Sequence, residues 1–300
     1  MTVAELYSAF TTEPSGGSHA WIVRDCAELS TREMQAIAHE LGAPATGFVT
    51  GIEGSAVSAR FFSSTTEYGM CGHGSIALFT CLVERDEIRC GDRADFTLRT
   101  PVAESSVRIE RDGDQVRVML ELALAEIEST ELTARELGPL FGLNASGIDI
   151  GLPLAVSRSD FTHLVVPISS LDHMAAMKPD FHGLAALHRR HGIETVAAIC
   201  PTQRDPDAEV RVRDFCPAVG TDEAAATGTT NRVVSLYLLE HGLVPSGISQ
   251  VTIRAEQGIE MGRPSLVETQ MTIIDGDVAE IWVGGTAAAV EVSALSRSIG

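Results

Sequence analysis

Hydrophobic and polar positions alternate with the period of a strand in most of the chain and follow the period of a helix in a few segments. Alternation bounded by turn residues predicts strands at 3–10, 20–25, 46–50, 56–62, 162–168, 195–200, 250–257, 265–274 and 279–290. Asp112-Gly113 predicts a hairpin turn. A 3.6-residue period predicts helices near 31–41, 132–137 and 180–191. Many strands with few helices indicate an α+β protein.

Two segments repeat one arrangement: an arginine-bearing strand, a loop, a glycine-centred turn and a helix that is apolar almost all round. They are Ser58–Glu84, with its helix near 75–84, and Val212–Glu240, with its helix near 230–241. A helix without a polar face must be surrounded by other elements, so each half is predicted to curl a sheet around its helix. The predicted domains are residues 1–123, completed by a C-terminal strand at about 286–300, and residues 124–285.

The two turns differ in their side chains. An offset of 154 residues superimposes Gly74 on Gly228 and Cys71 on Ala225, so only the first turn has a thiol. Helix N-termini present unpaired backbone N–H groups and the positive end of the helix dipole, which suit a carboxylate. We therefore predict a site for a small carboxylate between the two halves.

Composition and charge limit the function. With 300 residues, 44% hydrophobic and 21% charged, the chain is globular. A net charge of −19 and a pI near 4.8 argue against a nucleic-acid partner, because the 22 basic residues are scattered. Lys178 is the only lysine, which excludes most Schiff-base chemistry.

The six cysteines show no CxxC spacing and follow no signal peptide, so we expect reduced thiols in a cytoplasmic protein. No apolar run is long enough for a membrane span. HExxH, P-loop and GxGxxG motifs are missing, so the sequence supports neither a metal nor a nucleotide cofactor.

Seven segments in order resemble the phenazine biosynthesis PhzF-like family, which is related to diaminopimelate epimerase and proline racemase. The segments are AFTTEPSGGSHAWIV, LSTREMQAIAHELG, RFFSSTTEYGMCGHGSIA, HLVVPI, RDFCPAVGTDEAAATGT, EQGIEMGRPS and IWVGGTA. The resemblance implies two pseudo-twofold-related domains, each a curled mixed sheet around a central helix, with the active site in the cleft between them. It also implies a homodimer that needs no cofactor and moves protons next to an activating carboxylate.

Two acids of the family are replaced in this chain. The segment that resembles S-E-T-T-F-V has Ala45 where the family has its glutamate base, and an alanine cannot transfer a proton. The segment that resembles E-D-P-x-T-G-S has Ala224 in place of the aspartate, although Glu223 remains. Racemases of the superfamily use one cysteine from each half, so Cys71 facing Ala225 argues against a two-thiol racemase.

His73 is the first catalytic candidate, because the family motif also has a histidine here and imidazole exchanges protons near neutral pH. Cys71 is the second: a helix N-terminus favours the thiolate, although most free cysteines are small buried side chains. Asp222 and Glu223 are the third and fourth, since either acid would replace the missing carboxylate if the loop is displaced. Both acids are equally compatible with solvated surface positions.

The predicted substrate-binding groups lie in the turns and nearby loops. They are the backbone donors of Gly72, Gly74, Gly228 and Thr229, together with His19, which follows Gly16-Gly17, and Arg263 in the loop 258–265. His19 and Arg263 are also compatible with structural roles.

The sequence as a whole predicts a cofactor-independent isomerase that shifts a proton and a double bond on a small, amino-acid-like carboxylate in secondary metabolism or antibiotic biosynthesis. Two alternatives remain open. One is a dehydratase or lyase with a single Cys or His base, and the other is a binding protein that has lost the chemistry.

Overall fold

The computed structural model describes residues 3–113, 115–159, 161–202, 208–244 and 248–294. The chain divides into two compact units. Unit 1 comprises the described residues of Met1–Glu121 and Gly284–Gly300, and unit 2 those of Leu122–Val283. The sequence-based limits at 123 and 285 differ from these boundaries by two residues.

The strands of unit 1 are β1 Val3–Ala9, β2 Ser18–Val23, β3 Ala45–Glu53, β4 Ala56–Phe62, β5 Glu67–Tyr68, β6 Arg93–Arg99, β7 Glu104–Asp112 and β8 Gln115–Leu122. Its helices are α1 Thr31–Leu41 and α2 Gly72–Glu84. The strands of unit 2 are β9 Glu128–Ser129, β10 Ala155–Arg158, β11 Thr162–Pro167, β12 Thr195–Pro201, β13 Val210–Cys216, β14 Thr221–Ala224, β15 Gln250–Gln257 and β16 Ser265–Ile274. Its helices are α3 Ala134–Leu137, α4 Leu171–Ala176, α5 Phe181–His191 and α6 Gly228–Glu240, and β17 Asp277–Ala294 runs through the boundary.

The strands of unit 1 form a closed circuit. β1 pairs antiparallel with β2, β2 parallel with β3, β3 antiparallel with β4, β4 parallel with β6, β6 antiparallel with β7, and β7 antiparallel with β8. The segment of β17 that belongs to this unit pairs with both β8 and β1 and so closes the ring. A closed sheet has no unpaired edge on either side.

Helix α2 is buried over almost its whole length in unit 1. Every residue from Gly74 to Val83 is buried, as the apolar circumference predicts. Removing such a helix from water on all sides requires a surface that surrounds it, which explains why this sheet curls. The helix begins at Gly72, three residues before the predicted start, and Cys71 is its N-cap residue.

The sheet of unit 2 repeats the same series of pairings. β10 is antiparallel to β11, β11 parallel to β12, β12 antiparallel to β13, β13 parallel to β15, and β15 antiparallel to β16. Its helix α6 is also buried, but its buried residues include Asn231 and Arg232, so the helix is less apolar than expected. Arg232 donates from Nη1 to the Ala123 carbonyl oxygen at 3.0 Å and from Nη2 to Ser159 Oγ at 2.7 Å.

The predicted offset of 154 residues between the repeats is wrong. Helices α2 and α6 have equal lengths and begin 156 positions apart, so Cys71 corresponds to Thr227 and Gly72 to Gly228. Their N-cap residues also share a backbone conformation, with φ and ψ of −143° and 104° in Cys71 and −142° and 111° in Thr227. The preceding strands require an offset of 153, because a short 3-10 turn at Pro217–Val219 lengthens the second loop.

The remaining elements either lie where the sequence predicts them or differ from the prediction as follows. Helices α1 and α5 and the hairpin of β7 and β8 lie where predicted. The predicted helix at 132–137 is one turn, α3, which continues as a 3-10 turn through Gly138–Phe141 instead of stopping at Gly138-Pro139. Helix α4 was not predicted. All six cysteines are free, and no described helix has the length and hydropathy to cross a membrane.

His188 on α5 is 1% exposed, and neither ring nitrogen has a hydrogen-bond partner within the described residues. Burial lowers the pKa of His188 to about 4. The unfolded chain, with a pKa near 6.5, takes up the proton first as the pH falls. Stability from this residue is therefore complete above about pH 6.5 and is lost as the pH falls towards 4.

We expect the free energy of unfolding to fall by about 2 kcal/mol between pH 6.5 and pH 5 through His188. Urea denaturation at both pH values measures it. In His188→Leu the fall should be smaller by that amount, whereas His191→Leu, an exposed histidine of the same helix, should match the wild type. Equal pH dependence in His188→Leu and the wild type would contradict this.

Candidate functional site

The first turn presents a thiol and an imidazole at the start of a buried helix. Cys71 caps α2 without a side-chain capping bond, and its carbonyl oxygen accepts both the N–H and the hydroxyl of Ser75, at 2.8 and 2.7 Å. Gly72 and His73 are half-buried, Gly74 to Val83 are buried, and Glu84 at the C-terminal end is exposed. The N-terminal end of α2 is therefore partly accessible, and there the backbone N–H groups have no intrahelical acceptor.

The thiol and the imidazole of this turn are neighbours. Cys71 Sγ lies 3.7 Å from Nδ1 and 3.8 Å from Nε2 of His73. Burial lowers the pKa of His73 to about 4, so the ring is a neutral base at neutral pH. Burial raises the pKa of Cys71 to about 12, and the hydrogen bond from the Gly74 N–H only partly offsets this rise. The thiolate expected from the helix dipole is therefore wrong, because desolvation outweighs the dipole.

Phe61 of β4 fills the space behind the first turn. A Cβ on Gly74 would lie 2.9 Å from the Phe61 ring and 3.1 Å from Cys71 Sγ, so a glycine is needed there. A Cβ on Gly72 would meet nothing within 4 Å. Gly74 is thus required by packing, whereas Gly72 leaves its side of the helix end open.

An arginine and a glutamate hold the strand that leads into each turn. In unit 1, Arg60 Nε and Nη2 donate to the two carboxylate oxygens of Glu67 at 2.8 and 2.7 Å. In unit 2, Arg213 donates to Glu223 in the same way at 2.8 Å for both bonds. Each guanidinium also lies over a phenylalanine ring. The Cζ atom of Arg60 is 5.2 Å from the ring centroid of Phe62, and that of Arg213 is 5.0 Å from the ring centroid of Phe215.

This geometry gives Glu223 a structural partner. Both of its carboxylate oxygens accept bonds from Arg213, and its equivalent in the first repeat, Glu67, is bound in the same manner. Asp222, the neighbouring candidate, is exposed on β14. The structure does not bring Asp222 and Glu223 together as one acid site, because successive strand residues point to opposite faces.

A buried carboxyl group replaces the phenylalanine behind the second turn. Asp214 of β13 corresponds to Phe61 of β4, since each faces the last residue of the following short strand. The Asp214 carboxyl accepts hydrogen bonds from Thr195 and, at 2.9 Å, from Thr230 Oγ1, and it also interacts with Thr227. Burial raises the pKa of Asp214, and the threonine hydroxyls act in the opposite direction.

Gln257 holds the second turn and was missed from the sequence. Its Nε2 donates to the Ala224 carbonyl oxygen at 2.8 Å and to Thr227 Oγ1 at 3.3 Å. Its Oε1 accepts from Asn231 Nδ2 at 2.8 Å and from the Thr227 N–H at 3.3 Å. The quoted segment EQGIEMGRPS contains this residue, but an amide side chain gives no periodic signal of its role.

The remaining predicted residues lie as follows. Gly228 and Thr229 begin α6 and are half-buried. His19 is half-buried on β2 opposite Ser8. Arg263 is half-buried in the turn between β15 and β16, where burial lowers its pKa.

The two alanines that the resemblance predicts in place of family acids lie in strands. Ala45 is fully buried at the start of β3, and Ala224 ends β14. No group of three His, Cys, Asp or Glu side chains suited to a metal ion occurs among the described residues. The first turn brings together a neutral imidazole, which can accept a proton, and the protonated Cys71 thiol.

Comparison with known proteins agrees with this fold. The architecture is that of the diaminopimelate epimerase-like α+β proteins, as predicted, and it is shared with a probable proline racemase from Agrobacterium radiobacter, at a TM-score of 0.61 and 12% identity over 99% of this chain and 94% of the other. The family model for phenazine biosynthesis-like proteins matches residues 7–293, so the chain belongs to this family.

Individual relatives cover the chain almost completely. An uncharacterized isomerase, YddE of Escherichia coli, is 29% identical over 93% of both chains. The trans-2,3-dihydro-3-hydroxyanthranilate isomerase of Pseudomonas aeruginosa is 28% identical over 94% of both chains. The crystal structure of a PhzF-family protein of Bacillus anthracis superimposes with a TM-score of 0.88, at 25% identity over 98% of both chains. The named relatives are isomerases.

Replacing Glu223 by Gln should destabilise unit 2. The Arg213–Glu223 side chains are 7% and 10% exposed, so the substitution leaves a buried guanidinium without its counter-charge, at a cost of about 3 kcal/mol. The matched change Glu67→Gln should cost about 1 kcal/mol or less, because the Arg60–Glu67 side chains are 22% and 30% exposed. Urea denaturation measures both, and unchanged stability of Glu223→Gln would refute the structural role.

Alanine at the two glycines of the first turn should have different effects. Gly74→Ala should cost about 1–3 kcal/mol in unfolding free energy, because the new methyl group collides with Phe61. Gly72→Ala should change it by less than about 0.5 kcal/mol, because its methyl group meets open space. Thermal or urea denaturation compares the pair, and equal losses would contradict the assigned packing.

Proposed function

We propose that this protein is a cofactor-independent isomerase that shifts a proton, and with it a double bond, on a small carboxylated, amino-acid-like metabolite of secondary metabolism. The observation that supports it most is His73, a half-buried neutral imidazole next to a protonated thiol at the N-terminus of α2. A neutral imidazole accepts a proton without first having to lose one. The isomerase names of the relatives point to the same reaction class.

In this proposal the substrate carboxylate is bound by free backbone N–H groups of the first turn, including that of Gly72, because the Gly74 N–H is already bonded to Cys71. Carboxylate binding by Gly74, Gly228 and Thr229 stays a prediction. Fixed donors stabilise the charge that develops on the carboxylate when the neighbouring carbon loses its proton. His73 removes that proton and later releases it. Cys71 contributes as a neutral thiol beside the ring.

The same geometry bears on the two alternatives. A dehydratase that uses a Cys71 thiolate as its base is disfavoured, because burial raises the pKa of that thiol to about 12. A protein that binds carboxylates without chemistry is compatible with Ala45 and Ala224 in place of the family acids. The homodimer and the cytoplasmic location stay predictions.

The test is an NMR assay in D₂O with trans-2,3-dihydro-3-hydroxyanthranilate, vinylglycine and a pyrroline carboxylate as probes. We expect one probe to give an isomer of unchanged formula that contains deuterium, whereas a lyase would release water. His73→Ala should lower kcat by roughly 10²-fold or more, as expected for loss of a general base. The control His39→Ala changes a histidine that is exposed on α1 and should behave as the wild type.

The pH profile gives a second readout. Because the pKa of His73 is about 4, kcat/KM should rise with pH around 4 and stay level from about pH 5.5 to 8. An unperturbed histidine would instead give a midpoint near 6.5. Such a midpoint would contradict the assigned state of His73. Failure of the wild type to convert any probe, with carboxylate binding intact, would favour the binding protein.

A further inference from the structure

Tyr68 is a polar group of the first turn that the proposed reaction has not used. It ends β5, three residues before Cys71, and is half-buried. Its hydroxyl donates to the Pro44 carbonyl oxygen at 3.4 Å. Pro44 directly precedes Ala45, the position at which the sequence lacks the family glutamate. The phenol therefore lies next to the backbone of the residue that precedes Ala45.

The three tyrosines of the chain differ in how their hydroxyls are bound. Tyr7 donates to the Glu84 carboxylate at 2.7 Å, and Tyr237 donates to the Pro153 carbonyl oxygen at 2.7 Å, both in partly buried surroundings. Tyr68 makes a longer hydrogen bond, 3.4 Å, which is exposed to solvent, and its hydroxyl also interacts with the Ser63 side chain. Of these three phenols, only that of Tyr68 is accessible and makes a long hydrogen bond. A general acid needs both properties, because it must leave its resting partner to donate a proton to the substrate.

Apart from the exposed Asp222, the acids beside the two turns are bound by arginines or buried. Glu67, beside Tyr68, is bound by Arg60, and its counterpart Glu223 is bound by Arg213. Tyr68 is itself the counterpart of Ala224 in the internal repeat, because Tyr68 faces Phe61 across the strand pair as Ala224 faces Asp214. The first turn thus has a proton donor at a repeat position where the second turn has a methyl group.

We propose that the Tyr68 hydroxyl is the second proton-transfer group of the isomerase, acting as the acid while His73 acts as the base. This inference rests on the proposed function. Burial, and to a lesser extent the nearby Cys71, raise the pKa of Tyr68, so the phenol is protonated at neutral pH. The charged and titratable groups nearest to it in the first repeat are Glu67 of β5, Arg60 of β4, the N-cap residue Cys71 and His73 of α2, whereas Cys81 and Glu84 lie farther along α2.

The steps balance without a cofactor. A C–H bond next to the substrate carboxylate breaks, an N–H bond forms on His73, and the electron pair enters the conjugated system. The Tyr68 O–H bond then breaks and a C–H bond forms at the other end of that system, which leaves a phenolate. The His73 imidazolium, with a pKa of about 4, gives its proton through water to the more basic phenolate, and the starting state returns.

Tyr68→Phe removes only the hydroxyl, so we expect its stability to match the wild type while kcat falls roughly 10²-fold with little change in KM. Deuterium should still exchange into the substrate next to the carboxylate, because His73 is intact, although the isomer no longer forms. The control Tyr237→Phe should lose stability and keep wild-type turnover, because its hydroxyl is bound to a backbone carbonyl of unit 2.

Three outcomes separate the proposals. Wild-type conversion with kcat of Tyr68→Phe within about twofold of the wild type overturns the role of Tyr68 and leaves the isomerase intact. Wild-type protein that converts no probe overturns the isomerase itself. If Tyr68→Phe does not fold, 3-fluorotyrosine at position 68 keeps the shape and acidifies the phenol, so the alkaline limit of kcat/KM should move to lower pH; an unmoved limit overturns the proposal.

Discussion

The burial of one helix in each unit is the constraint on which the rest of the structure depends. Helix α2 is buried at every position from Gly74 to Val83, so no side of it is left for water. In unit 1 a closed circuit of strands meets this demand, and unit 2 repeats the same order of parallel and antiparallel pairs. Apart from the exposed Glu84, the accessible part of this helix is its first turn, where backbone N–H groups have no partner in the helix. The accessibility of these donors thus follows from packing.

Different residues fill the space behind that turn in the two repeats. In unit 1 the Phe61 ring lies under Gly74, and the turn above it has the thiol of Cys71 and the imidazole of His73. In unit 2 Asp214 takes the place of the ring and is bonded by threonine hydroxyls. Gln257 adds further bonds to the second turn. The first turn keeps side chains able to exchange protons, whereas the polar groups of the second are used to hold its own backbone.

The glutamates of the two motifs show why an acid in a sequence motif is not always an available acid. Glu67 and Glu223 each receive two bonds from an arginine of the preceding strand, which fixes the short strand before the helix. Desolvation acts in a similar way on the first turn. It keeps the Cys71 thiol protonated in spite of the helix dipole, and it keeps His73 neutral.

Periodicity and motif order were sufficient to predict the α+β class, the repeat, helices α1 and α5 and the position of the first turn, because all of these depend on local pattern. The register of the repeat could not be predicted. The offset of 154 failed because three extra residues in the loop before β14 shift the second helix relative to its strand, and no local signal records an insertion.

The amino-acid sequence by itself determined which chemical groups this protein possesses, including His73 and Cys71 in a glycine-rich turn and alanines at positions 45 and 224. Only the tertiary structure decided which of them are available. The protonation state of a side chain depends on its desolvation. Its hydrogen-bond partner often lies on another element of the fold, as Arg213 does for Glu223 and Pro44 does for Tyr68. Both are properties of the folded surroundings of a side chain, which its neighbours along the chain do not specify.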